Sequence, residues 1–182
     1  MRLPIRPDHP IRTHFCGLVE NAFFTELGLC EPKLTAYLAD LLVDFMHVDR
    51  LSLLRRALGR DFAQMAALLS VLEPQDARKS VEERDRDVYR HIGDLTLFWT
   101  GVFPEYLRSR RGGDLLNAYV EQGKRSYAAS ARLAHPDDRP PADLLLSLSE
   151  EFETCVHGLG LVRRNWNDVR PDDADGPRDL VY

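Results

Sequence analysis

The segment VYRHIGDLTLFWTGVFPE (residues 88–105) is predicted to form the most apolar helix of the protein. Plotted at about 100° per residue, its main apolar side chains lie within about 40° of one line along a helix, with two phenylalanines on the flanks and Leu97 on the opposite side. These side chains are Val88, Ile92, Leu95, Trp99 and Val102, flanked by Phe98 and Phe103. A helix that is apolar on nearly all sides is surrounded by other elements. We therefore expect this helix to be the centre of the protein.

Two boundaries follow from the residues around this stretch. On its N-terminal side, KSVEERDRDVYR (79–90) is densely charged with mixed sign, which predicts three solvated turns stabilised by pairs four residues apart. On its C-terminal side, Gly101 and Pro104 predict a break, because proline removes a backbone donor and crowds the preceding turn. The central helix is predicted over about 77–103.

The rest of the chain also has helical periodicity, with no convincing alternation typical of strands. Helices are predicted over 11–27, which Gly28 ends, and from Pro32 to 47 or onward to 58. Further helices are predicted over 62–72, 115–133 and 142–157, with loops over 108–113 and 135–141 and a turn at 158–161. The fold class is all-α, a single-domain bundle of about six or seven helices around the central one. The helical domain is expected over 1–163, with an irregular N-terminus and an acidic, flexible tail over 164–182.

Composition excludes several classes of function. The 182 residues are 44% hydrophobic and 29% charged with a net charge of −5, which disfavours binding to nucleic acid or an anionic membrane surface. No apolar run approaches the roughly 18–20 residues that span a bilayer, and the N-terminus lacks the features of a secretory signal. Three cysteines without metal-knuckle spacing predict free thiols, no disulfides and a cytoplasmic protein. The sequence contains no GxxxxGK[ST], GxGxxG or GxSxG motif, so we lean against an enzyme.

Polar groups inside the central helix are the candidates for a site. A buried Asp94 must be paired, and a structural role would pair it with Tyr37, Tyr119 or Tyr127, with an arginine, or with a backbone amide. The functional alternative is a pocket, since polar groups in apolar concavities are most common at sites. Its candidate residues are Tyr89, His91, Asp94, Phe98 and Glu105.

Spacing also suggests a metal site as a minor alternative. A carboxylate and an imidazole lie three residues apart, on one helix face, in two pairs: Asp44 with His47 and His91 with Asp94. Glu153 and His157, four residues apart, form a third pair. Di-iron bundles use a Glu-x-x-His motif, which this chain lacks. We expect no cofactor, with a metal ion or haem as the alternative.

The segments HIGDLTLFWTGVFPEYL (91–107) and LLNAYVEQGKRSY (115–127) resemble a pattern in bacterial all-helical proteins that carries no known activity. The resemblance implies an intracellular bacterial protein. The lack of any catalytic motif, together with apolar surface on almost every helix, leads us to expect a non-enzymatic interaction, regulatory or assembly module that binds a protein partner or itself. The alternative is a small-molecule, haem or metal-binding protein, possibly an enzyme, with its site around His91 and Asp94.

Overall fold

A computed structural model describes residues 10–45, 80–109 and 114–168. The helices in these ranges are α1 (Pro10–Glu20), which continues as a π-helical segment (Asn21–Glu26), α2 (Pro32–Phe45), α3 (Val81–Val102), α4 (Pro104–Ser109), α5 (Asp114–Arg132), α6 (Ala142–Glu150) and α7 (Phe152–Asp168). The described ranges contain no strand, and their seven α-helices pack as one bundle. The predicted all-α single bundle is confirmed.

Helix α3 is the centre of the bundle, as the sequence predicts. Every residue from His91 to Val102 is buried, and α5 and α7 lie along it. The helix ends at Val102, and Phe103 leaves the helical conformation before Pro104 begins α4. The predicted break is therefore confirmed, although Arg108 belongs to α4 rather than to a loop, and 110–113 lie outside the described residues.

The start of α3 differs from the prediction in two ways. Ser80 is the N-cap of α3, and the helix begins at Val81. The Ser80 hydroxyl accepts a hydrogen bond from the Glu83 amide at 3.1 Å, and the Glu83 carboxylate accepts one from the Ser80 amide at 2.6 Å. The expectation of three fully solvated turns is wrong, because Arg86 is buried. Its guanidinium donates to the carbonyl of Pro140 at 2.9 Å and lies 3.2 Å from Asp138. This cation anchors the predicted 135–141 loop to α3.

The predicted single helix over 142–157, followed by a turn at 158–161, is wrong. The chain forms two helices there, and the predicted turn at 158–161 lies inside α7. The ring of Phe23, from the π-helical segment, occupies the space that a Cβ on Gly158 would need. Gly158 therefore allows the π-helical segment to pack closely against α7, and it does not end a helix. The predicted stop at Gly28 is confirmed, and its φ of 69° suits glycine.

Helix α7 continues to Asp168, and Trp166 packs edge-on against Phe15 of α1 with ring centroids 5.0 Å apart. Residues 169–182 of the predicted tail, the first nine residues, and the helices predicted within 46–79 lie outside the described residues.

Candidate functional site

Asp94 is the centre of a buried polar network that joins three helices. Its side chain projects from α3 towards α2 and α5 and is 9% exposed. Oδ1 accepts hydrogen bonds from the hydroxyls of Tyr37, at 2.5 Å, and Tyr127, at 2.9 Å. Oδ2 accepts one from Nη1 of Arg90, one turn earlier on α3, at 3.3 Å. The expected pairing of Asp94 with a tyrosine of a neighbouring helix is confirmed, by Tyr37 and Tyr127.

Backbone packing brings Tyr127 to this carboxylate. A Cβ on Gly93 would lie 2.7 Å from Cδ1 and Cε1 of the Tyr127 ring, far closer than van der Waals contact allows. Because Gly93 has no side chain, the ring lies directly against α3 and its hydroxyl reaches the neighbouring Asp94. Tyr37 approaches from the other side, on the face of α2 that also buries Leu34, Leu38 and Leu41.

The network has unusual electrostatics. Burial and, after it, the negative charge of Asp94 raise the pKa of Tyr37 and of Tyr127 well above the ordinary value for tyrosine. Both hydroxyls are therefore donors near neutral pH. Burial alone lowers the pKa of Arg90, but Asp94 and Tyr37 outweigh it and leave the pKa raised. The arrangement holds one carboxylate between one permanent cation and two neutral donors.

His91 joins the network through Arg90. Nη2 of Arg90 lies 3.1 Å from Nε2 of His91. A guanidinium can only donate, so Nε2 is the acceptor in this contact. Arg90 was not among the predicted site residues, although its position four residues before Asp94 places both side chains on one helix face.

The other predicted pocket residues lie elsewhere. Tyr89 is half-buried on α3, and Phe98 stacks on Phe45 with ring centroids 4.8 Å apart. Glu105 is exposed on α4 and accepts a hydrogen bond from Arg163 of α7 at 2.6 Å. Partial burial opposes ionisation of Glu105, but Arg163 prevails and lowers its pKa. Of the five candidates, the structure brings His91 and Asp94 into one network.

The predicted metal ligands are spread over the bundle. Asp44 is exposed on α2, Glu153 binds Lys124 at 2.9 Å, His157 is exposed, and His47 lies outside the described residues. Within 10–45, 80–109 and 114–168, no three His, Cys, Asp or Glu side chains come together in a group suited to a metal ion. Both oxygens of Asp94 already accept hydrogen bonds from protein donors.

Burial raises the pKa of two of the three cysteines, Cys16 and Cys155, and so disfavours their thiolate forms. All three are free thiols, and burial raises the pKa of Cys155 to about 12, which keeps it protonated and unreactive near neutral pH.

In the described part of the chain, no helix has the length and apolar character needed to cross a bilayer.

Comparisons with known proteins found no matching family model, no matching curated protein and no matching solved structure. Any functional inference for this chain therefore depends on its own residues.

Proposed function

We propose that this chain is a non-enzymatic helical interaction module of a regulatory or assembly type, which acts through its surface on a protein partner or a second copy. The observation that carries the proposal is the internal pairing of Asp94, whose two oxygens accept hydrogen bonds from Tyr37, Tyr127 and Arg90. The network then serves to join α2, α3 and α5. The net charge of −5 favours a protein partner over nucleic acid.

A carboxylate that acts as a general base or holds a ligand needs an acceptor position within hydrogen-bond reach of the reacting or bound group. Oδ1 of Asp94 already accepts two hydrogen bonds, so a ligand at that oxygen would have to displace a tyrosine hydroxyl, and the Tyr127 ring is fully buried against Gly93. Further along α3, the side chain of Leu159 fills the space beside Gly101, where an added Cβ would lie 2.7 Å away. Protein side chains thus occupy the places where α3 offers room, which supports a structural core.

The test is the assembly state of the full chain. We expect sedimentation velocity and light scattering over a range of concentrations to give a mass above the 20.8 kDa of one chain, or affinity capture to recover a stoichiometric partner. Tyr37→Phe removes one hydroxyl from the network and keeps the ring, so the folded variant should associate like the wild type. A strict monomer that captures no partner would overturn the proposal.

A second candidate is a small-molecule, haem or metal site beside His91 and Asp94. One observation favours it: Nε of Arg90 is buried without a hydrogen-bond partner, and a ligand carrying an anionic or carbonyl oxygen would satisfy it. An absorption spectrum, elemental analysis and native mass spectrometry of the purified chain test this candidate. Bound mass, colour or stoichiometric metal that Asp94→Asn abolishes would support it, whereas a colourless protein of the bare chain mass would remove it.

A further inference from the structure

We draw no further inference here: the strongest candidate, the partly exposed aromatic cluster of Trp99, Phe103 and Tyr106 beside Arg163 where α3 meets α4, carries nothing because nothing in the described residues shows what covers it.

Discussion

The ring of Tyr127 fills the space beside Gly93 that a side chain at that position would need, with Cδ1 and Cε1 only 2.7 Å from the site of a Cβ. The same close approach brings the Tyr127 hydroxyl to 2.9 Å from Oδ1 of Asp94. This contact therefore contributes both to the separation of α3 from α5 and to the geometry of the polar network. A change at either residue should alter both.

Gly93→Ala should lower the free energy of unfolding by about 1–3 kcal/mol, because the added methyl overlaps a fully buried ring. The sign of this change identifies the steric contact, since without it alanine in a helix interior would be favoured over glycine by up to about 1 kcal/mol. Urea denaturation of both proteins measures the difference.

Gly17→Ala is the matched control, because Gly17 lies in α1 with no atom within 4 Å of its added Cβ. It should raise the free energy of unfolding by up to about 1 kcal/mol. Equal stabilisation by the two substitutions would show that Tyr127 does not pack against Gly93.

Asp94→Ala should destabilise the protein by about 2–4 kcal/mol, because it leaves two buried hydroxyls and the Arg90 cation without their acceptor. Asp40→Ala provides the comparison, since Asp40 is half exposed and pairs with Arg12 at the surface. That change should cost less than about 1 kcal/mol in the same urea titration. Similar costs for the two aspartates would mean that the buried network contributes nothing special.

Tyr37→Phe and Tyr127→Phe should each cost about 1–3 kcal/mol, because each removes a hydrogen bond to a buried carboxylate. In an Asp94→Leu background the same changes should cost less, since their acceptor is gone. A double-mutant cycle for each tyrosine should give a coupling of about 0.5–3 kcal/mol. Strict additivity would place the hydroxyls outside a shared network with Asp94.

Stability should fall as the pH rises above the ordinary tyrosine pKa of 10.0. Burial raises the pKa of Tyr37 and Tyr127 in the folded state, so the unfolded chain releases their protons first and is favoured between the unfolded and folded pKa values. The loss should be at most about 1.4 kcal/mol per pH unit for each tyrosine. Urea titrations across this range check the slope, and the Tyr37→Phe/Tyr127→Phe double variant should show a smaller one. An unchanged slope in that variant would contradict the prediction.

The thiols should react in the order of their exposure. Cys30 is exposed, whereas Cys155 is fully buried with its pKa raised to about 12 by burial. Mass spectrometry after brief alkylation at neutral pH should find Cys30 modified and Cys155 intact in the native protein. In denaturant both should react, which serves as the control. Native alkylation of Cys155 at the rate of Cys30 would show that α7 does not cover it.

The sequence was sufficient to predict helix boundaries where a single proline or glycine sets the backbone conformation. Pro32 begins α2, Gly28 ends the segment before it, and Pro104 separates α3 from α4. Each of these residues imposes a backbone conformation or removes a donor whatever surrounds it. Gly158 shows where this reasoning stops, because a glycine required by the ring of Phe23 looks in sequence like the end of a helix.

From the residues alone it was possible to predict an all-α fold, a central apolar helix and the need of a buried Asp94 for a partner, because these properties follow from periodicity and the cost of burying a charge. The identity of the partners as Tyr37, Tyr127 and Arg90, and the anchoring of the loop over 135–141 by Arg86, became visible in the packed fold. Periodicity shows which face of each helix points inward. It does not show how far a helix is shifted along its neighbours or which of their residues it contacts. Both depend on how side chains such as Tyr127 and Phe23 fit against glycines far away in the chain.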